Sequence, residues 1–260
     1  MFPRPPILLR LVLSAAALTG CGRHPPHQAD APASSAPTTD ADYAVPPAVS
    51  AVRPDPAGPR LNGTAAPGVQ VRLGAPGGAA LFATADSDGR WSLRLPPSVE
   101  PRIFGLSEKV AGRQAQGQGY VVVTPEGRAA LLRAGAGALR LDPQRFPALG
   151  AVDFDNGGGL VISGVAPPSS LVFLRIDGRQ VAEARVDAAG HYVIALTQPI
   201  GGGAHTLEVA GDTFVSRGQM EVARAAPLAA GPLRSQLTRG GRRIDWLTPG
   251  GGMQSTVLLD

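Results

Sequence analysis

The sequence has few of the residues from which catalytic and metal sites are usually built. It contains one cysteine, Cys21, and four histidines among its 260 residues. A single cysteine excludes an internal disulfide. No His-x-x-x-His, Cys-x-x-Cys or Gly-x-Ser-x-Gly motif is present. Because catalysis needs a nucleophile or an acid–base pair with an orienting partner, we expect a protein that is not an enzyme and uses no cofactor or metal.

Charge and long apolar runs are also scarce. Charged residues make up 17% of the chain, and Lys109 is the only lysine. The formal net charge of +4 falls to +2 if cleavage before Cys21 removes Arg4 and Arg10. This small excess does not favour nucleic acid as a partner. No stretch reaches the roughly 20 apolar residues that a membrane-spanning helix requires.

The first 20 residues have the three parts of a secretory signal peptide. Arg4 and Arg10 supply the positive start, residues 11–18 are apolar, and small residues follow. Residues 18–21, Leu-Thr-Gly-Cys, resemble the lipobox of bacterial lipoproteins. The resemblance implies that Cys21 is lipidated and holds the chain on a lipid bilayer, since two or three acyl chains anchor a protein stably. An ordinary cleaved signal with an unrelated cysteine is the alternative.

The segment after Cys21 indicates where the protein is placed. Gly22 stands where an aspartate would favour the inner membrane, so resemblance to the lipoprotein sorting rule implies the periplasmic face of the outer membrane. Residues 21–58 are rich in proline, alanine, serine and threonine. Such a composition lacks the apolar surface that offsets chain entropy, so it predicts a disordered tether. In an extended form the tether would reach on the order of 100 Å.

An internal repeat organises the rest of the chain. Three blocks of a first copy match three blocks of a second copy, always 101 positions apart: residues 61–67 with 162–168, 71–73 with 172–174, and 85–93 with 186–194. We assign the first copy to residues 59–148 and the second to residues 149–225.

Each copy has the pattern of β-strands. Val69, Val71 and Leu73 alternate with polar or small residues, which predicts a strand with one buried face. The order Gly-x-Ala-x-Pro, strand, Asp-x-x-Gly-aromatic, strand resembles bacterial immunoglobulin-like repeats. This resemblance covers residues 59–225 and implies an all-β fold of two tandem immunoglobulin-like β-sandwich domains. The first copy departs from the pattern after Leu95.

Two features inside the repeats have alternative interpretations. Trp91 and Tyr192 occupy equivalent positions, which predicts core residues, and an exposed platform for glycan is the alternative. Asp86 and Asp88 have the spacing of calcium ligands. The second copy keeps Asp187 and the following glycine but lacks the second carboxylate, which favours a hairpin turn.

Residues 226–260 form a basic tail with a terminal strand. Residues 244–253 echo residues 151–160, because in both an Asp-aromatic pair leads through three glycines into an apolar strand. The tail therefore either begins a truncated third copy or adds a strand to an existing sheet edge. An unpaired apolar strand at residues 257–259 would be prone to aggregate, so we expect it to be docked.

The tail also carries a basic cluster, Arg239, Arg242 and Arg243, with Trp246 nearby. We interpret the cluster as a solvated loop before the last strand. The alternative is contact with anionic lipid, lipopolysaccharide or peptidoglycan through Arg242, Arg243 and Trp246.

Together these features predict a membrane-anchored envelope lipoprotein that acts as a non-catalytic structural or protein-interaction module. Its edge strands are the expected contact surface for another envelope protein. The alternative function is binding of cell-wall glycan through a sandwich face or through the Arg/Trp region of the tail.

Overall fold

The computed structural model describes residues 45–260. All regular secondary structure in that range is β-strand. These residues contain no helix long and apolar enough to cross a membrane. The strands are β1 Ala48–Arg53, β2 Arg60–Thr64, β3 Gln70–Gly74, β4 Ala80–Thr84, β5 Arg90–Arg94, β6 Arg102–Val110, β7 Arg113–Gln116, β8 Tyr120–Val123, β9 Ala129–Leu132, β10 Leu139–Arg140, β11 Ala148–Asp155, β12 Leu160–Val165, β13 Leu171–Ile176, β14 Arg179–Arg185, β15 His191–Ala195, β16 Gly203–Gly211, β17 Phe214–Val222, β18 Leu233–Thr238, β19 Gly241–Leu247 and β20 Met253–Leu259.

The first sandwich packs a three-stranded sheet, β1-β2-β5, against a wider one in the order β10-β9-β8-β6-β3-β4. β6 pairs with β8 through residues 102–104 and with β7 through residues 107–110. Alternate side chains, such as Val71 and Leu73 of β3 and Phe104 and Leu106 of β6, point between the sheets and form the first core.

The second sandwich repeats this plan. Its sheets have the orders β14-β13-β16-β17 and β15-β12-β11-β20-β19-β18, and Val172, Leu174, Leu207 and Val209 lie in the second core between them. In each copy the first, second and fifth strands lie in one sheet, and the third, fourth, sixth and seventh lie in the other, which is the immunoglobulin-like arrangement. The predicted all-β fold of two tandem immunoglobulin-like sandwiches is confirmed.

The strands after the seventh in each copy join the two sandwiches. β8 to β10 widen a sheet of the first sandwich, and β18 to β20 widen a sheet of the second. Along β8, Val121 and Val123 lie in the first core, whereas Val122 lies in a third apolar cluster. Both faces of these strands are therefore buried, and the two sandwiches belong to one compact unit. The buried members of this third cluster, the junction core, are Ile103, Val122, Ala130, Leu132, Ala138, Ala151, Ile244, Trp246 and Leu258.

The repeat continues in the structure where the sequence match weakens. Beyond Leu95, β6 starts at Arg102 and β16 at Gly203, again 101 positions apart. β7 and β17, which start at Arg113 and Phe214, keep the same offset. The strand positions are thus shared by the two copies even where their residue types differ.

The predicted boundary of the tether at residue 58 is wrong, because β1 lies inside the range 21–58. β1 pairs with β2, and Val49 and Val52 are buried. Prolines flank the strand, and a β-bulge between Val49 and Ala51 interrupts its alternation, so its composition and pattern did not indicate a strand. The rest of the predicted tether, residues 21–44, and the signal peptide, residues 1–20, lie outside the described residues.

The C-terminal tail extends the second sandwich and does not start a third copy. β20 pairs antiparallel with β11 on one side and with β19 on the other. Val257 and Leu259 lie in the second core, and Leu258 lies in the junction core. The prediction that this strand is docked is confirmed.

Trp91 and Tyr192 are core residues, as predicted, and each lies against a glycine of the neighbouring strand. A Cβ on Gly63 would be 2.4 Å from the Trp91 ring, and one on Gly164 would be 2.3 Å from the Tyr192 hydroxyl. Each aromatic side chain also donates a hydrogen bond to a backbone carbonyl. Because only 3% and 2% of their surfaces are exposed, the alternative of an exposed glycan platform is wrong.

Candidate functional site

The residue with the most specific predicted role, Cys21, lies outside the described residues. Its lipidation therefore stays a prediction. The other predicted contact residues lie in β19, at the junction between the two sandwiches.

The predicted solvated loop at Arg242, Arg243 and Trp246 is wrong, because these residues belong to β19, an inner strand between β18 and β20. The exposed fractions of the three residues are 9%, 5% and 0%. The Arg242 guanidinium pairs with Glu126 of the first sandwich. Side chains covered in this way have no surface to offer peptidoglycan, which corrects the predicted contact.

Trp246 is the largest buried side chain of the junction core. Its ring meets the ring of Tyr120, from β8 of the first sandwich, edge to face, with centroids 6.2 Å apart and planes at 77°. Its Nε1 donates to Thr256 Oγ1 at 3.1 Å, so its one polar atom is satisfied. A large aromatic with a satisfied polar atom contributes strongly to an interface between two folded bodies.

Asp245, on the opposite face of β19, is held by a buried polar cluster. Its Oδ1 accepts hydrogen bonds from Arg243 Nε at 2.7 Å and from Ser255 Oγ at 2.7 Å, and its Oδ2 accepts one from Arg234 at 2.6 Å. The Arg243 guanidinium also lies 5.1 Å from the centroid of the Phe154 ring. Burial acts to raise the pKa of Asp245, but the hydrogen bonds and the charge of Arg243 outweigh it and hold that pKa below its usual value.

A second buried carboxylate, Asp153 of β11, ties the two sandwiches together. Its Oδ2 accepts a hydrogen bond from the Ala138 backbone N–H at 2.6 Å. Its Oδ1 accepts bonds from Thr256 Oγ1 at 2.5 Å and Gln254 Nε2 at 3.1 Å. Burial raises the pKa of Asp153, since its neighbours offset only part of the lost hydration.

Two arginines of the first sandwich hold the end of β20. Arg128 donates to the carbonyls of Leu258 and Leu259 at 3.2 and 3.4 Å, and it pairs with Asp260. Arg140 donates to the Leu259 carbonyl at 2.9 Å. The last strand of the chain is therefore fixed by both sandwiches.

The Asp-x-x-Gly segments form turns, as predicted. Asp86 Oδ1 accepts hydrogen bonds from the backbone N–H groups of Asp88 and Arg90 at 2.9 and 2.8 Å. Asp187 makes the corresponding pair of bonds in the second copy. Asp86 Oδ1 thus serves the turn, and Asp88 pairs with Arg90. Within residues 45–260, no three His, Cys, Asp or Glu side chains come together as metal ligands.

His205 joins two loops at one end of the second sandwich. Its Nδ1 lies 2.7 Å from Asp177 Oδ2, and its Nε2 lies 2.9 Å from the Gly201 carbonyl oxygen. The hydrogen bond with Asp177 raises the pKa of His205. Because both partners are acceptors, only the protonated ring donates to both. The pair lines a surface groove of about 690 Å³ together with Glu221 and Arg239.

Two strand edges in the described part of the chain carry exposed apolar side chains. β4 ends a sheet of the first sandwich and β14 ends a sheet of the second. Each carries an exposed apolar residue, since Phe82 is 51% and Val181 46% exposed. The β4 edge fits the expectation that a partner pairs with an edge strand, and β14 offers exposed side chains beside a β-bulge.

The first-sandwich side of the junction was missed by sequence reasoning, although a signal for it exists. Residues 124–127 read Thr-Pro-Glu-Gly and residues 248–251 read Thr-Pro-Gly-Gly. In both turns the glycine N–H donates to the threonine carbonyl, and the turns connect β8 to β9 and β19 to β20. This shared motif marks the two hairpins that face each other across the junction core.

No family model matches the sequence, and no curated protein matches it. Among solved structures, the chain is similar to the BSP domain of a biofilm-associated protein, with 16% identity and a TM-score of 0.25 over 70% of this chain and 30% of that one. It is similar to the central fibronectin-III array of RIM-binding protein, with 9% identity and a TM-score of 0.25 over 82% and 88% of the two chains. It is also similar to the chicken interferon gamma receptor alpha chain, with 12% identity and a TM-score of 0.24 over 69% and 99%. At such TM-scores the fold assignment rests on the strand order given above.

Proposed function

We propose that the chain is a non-catalytic structural or protein-interaction module of a bacterial cell envelope, anchored to a lipid bilayer through Cys21. The observation that carries the proposal is the junction core, in which nine buried apolar residues join two immunoglobulin-like sandwiches. Domains of one chain usually move relative to each other unless their interface is large and apolar. A body joined in this way acts as a rigid spacer or scaffold.

Buried polar contacts support the same conclusion. Asp153 accepts hydrogen bonds from groups in both sandwiches, and Arg128 of the first sandwich binds the backbone of β20 in the second. Such contacts depend on direction, so they fix the relative orientation of the sandwiches more tightly than apolar packing alone. A fixed orientation allows the edge strands to be presented to a partner in a defined geometry.

The non-catalytic part of the proposal is supported by charged groups that are engaged with each other. Asp245 is bound by Arg243, and Glu208 bridges Arg175 and Arg217 at 2.7 and 2.9 Å. Carboxylates paired in this way have their proton affinity lowered and their lone pairs occupied. They serve the structure rather than proton transfer to a substrate.

The anchor is supported by the lipobox resemblance of residues 18–21, and the outer membrane is supported by Gly22. Cys21→Ser tests the anchor. We expect the wild-type chain to partition with membranes and to incorporate labelled palmitate, and we expect the serine variant to do neither. Gly22→Asp is the matched control, because it keeps the thiol and is expected to move the protein to the inner-membrane fraction. A serine variant that still incorporates palmitate contradicts the anchor.

The interaction role is tested with a photo-crosslinking amino acid at Val181 on β14 in intact cells. The matched control is Val99, which is 90% exposed but lies in a loop. We expect one envelope protein to be captured from Val181 and not from Val99. Equal capture at both positions would show random collision and contradict a partner at β14.

A further inference from the structure

β4 is an uncharged, apolar strand edge. It ends its sheet beyond β3, and residues 80–84 read Ala-Leu-Phe-Ala-Thr. Leu81 and Ala83 pack in the first core, whereas Phe82 lies on the outer face with 51% of its surface exposed. The strand contains no proline, and its pairing with β3 has no bulge. A flat, apolar edge of this kind is a template for another strand.

The equivalent strand of the second sandwich, β14, is protected against pairing with another strand, although its Val181 side chain is exposed. It carries Arg179, Glu183 and Arg185, and a β-bulge interrupts its pairing with β13. Glu183 occupies the repeat position of Phe82, 101 residues later. Charges and bulges are the usual features that keep edge strands from pairing. The contrast between the two copies indicates that the β4 edge is kept open for a contact.

We propose that β4 pairs antiparallel with β4 of a second copy of this chain, so that the two first sandwiches share one continuous sheet. The two-fold axis lies beside Phe82. This register places Phe82 opposite its own counterpart, Leu81 opposite Ala83, and Ala80 opposite Thr84.

The side chains are complementary in this register. The two Phe82 rings form an aromatic cross-strand pair on the outer face, which is a favourable pairing. Leu81 and Ala83 continue the apolar inner face from one copy into the other. Arg72 of β3 lies directly opposite Phe82. The Arg72 guanidinium lies over Gly74, two residues further along β3.

Charge selects a second copy as the occupant of this edge. β4 has no charged residue that would repel its own copy. Asp86, which follows the strand, faces Gly78 of the other copy, so like charges are not opposed. The Arg72 side chains of the two copies are three strand spacings apart, about 14 Å, which is beyond the screening length at physiological salt. The pairing depends on β4 alone and does not require the lipid anchor.

Disulfide trapping tests the pair and its register. Opposed residues have Cβ atoms about 4.5–5.5 Å apart, close to disulfide geometry, so Phe82→Cys in the full chain is expected to form a dimer when isolated membranes are oxidised. Thr84→Cys is the matched control, because the two copies of Thr84 lie about 13 Å apart. The wild-type chain, with Cys21 as its only cysteine, gives the background. We expect several-fold more dimer from Phe82→Cys than from either control, and equal yields or no dimer would overturn the proposal.

A second measurement avoids disulfides. Phe82→Glu gives β4 the residue that β14 has, and the fold tolerates it because Phe82 is half exposed. Light scattering of the detergent-solubilised full chain is expected to show the mass falling by about half in this variant and staying unchanged in Val181→Glu. A monomeric wild-type chain, or a Phe82→Glu chain that is still dimeric, would overturn the proposal, as would capture of a different protein at β4 without self-association. Palmitate labelling tests the proposed anchor separately, so either hypothesis can fail alone.

Discussion

Glu108 accepts a hydrogen bond from the backbone N–H of Ala66, with Oε2 and N 3.2 Å apart. Glu108 is 2% exposed, and its Oε1 has no partner among the described residues. At the same two positions of the second copy, 101 residues later, stand Val209 and Pro167. A proline has no N–H, so no acceptor is needed there, and an apolar valine fills the core position. The first copy thus supplies an acceptor for the backbone N–H at this position, whereas the second copy removes the N–H.

We therefore expect Ala66→Pro and Glu108→Val to be coupled. Ala66→Pro alone removes a hydrogen bond from a buried carboxylate, and Glu108→Val alone leaves a backbone N–H without its acceptor. The double variant restores the pair found in the second copy. Its free energy of unfolding is expected to exceed the additive value by about 1 kcal/mol or more. A double-mutant cycle in urea checks this, and additivity within about 0.3 kcal/mol would show that the hydrogen bond has no influence.

Adjacent arginines of β19 are expected to differ in their effect on stability. Arg243→Gln removes one of the two arginines that bind buried Asp245, and because Arg234 keeps its hydrogen bonds the cost is about 1.5–3 kcal/mol. Arg242→Gln breaks a pair with Glu126, whose side chain is 46% exposed, so solvent screening limits the cost to about 1 kcal/mol. Urea unfolding of both variants measures the difference. Equal losses would mean that Asp245 is not dependent on Arg243.

Trp246→Ala is expected to uncouple the two sandwiches. Removing a fully buried tryptophan from the junction core costs about 3–5 kcal/mol, and the loss falls on the interface between the sandwiches. The variant leaves Trp91, in the first core, as the only tryptophan. Its fluorescence is expected to follow unfolding of the first sandwich separately from the circular dichroism of the whole chain. Trp246→Phe is the control that keeps an apolar ring, and coincident transitions in Trp246→Ala would contradict a separate role for the junction.

The His205–Asp177 pair is expected to make stability depend on pH. The pKa of His205 is raised in the folded protein, so its contribution is complete below the unfolded value of about pH 6.5 and is lost as the pH rises through the folded value. The pKa of Asp177 is lowered, so its contribution is present above about pH 4 and is lost as the pH falls through its folded value. Glu221 and Arg239 line the same groove, so their charges also act on His205 and Asp177.

We expect His205→Gln to lower the urea midpoint more at about pH 5.5 than at about pH 8.5, because only the protonated ring donates to both Asp177 and the Gly201 carbonyl. Proton NMR of the His205 ring gives its pKa directly. A midpoint difference that is the same at both pH values would contradict the pair as a pH-dependent contact.

Local structure followed from residues that are neighbours in the sequence. The alternation of Val71 and Leu73 predicted a half-buried strand, and the Asp-x-x-Gly segments at Asp86 and Asp187 predicted turns. Both features are set by a few consecutive residues, since side chains alternate with a period of two and glycine accepts a positive φ. The constant offset of the repeat then predicted the same elements in a second sandwich. β1 was missed because its bulge breaks the period on which the prediction depends.

The junction was decided by tertiary structure. The apolar residues of β20 indicated burial without indicating what covers them, because both faces of this strand are buried. The sequence indicated a surface cluster at Arg243 and Trp246, since arginine is usually exposed. Their burial depends on the partners that pairing brings to β19, and Asp153 bonds to Thr256 across 103 positions. A period-two pattern determines which side chains share a face, but the choice of the strand that covers that face is made only when distant segments pair.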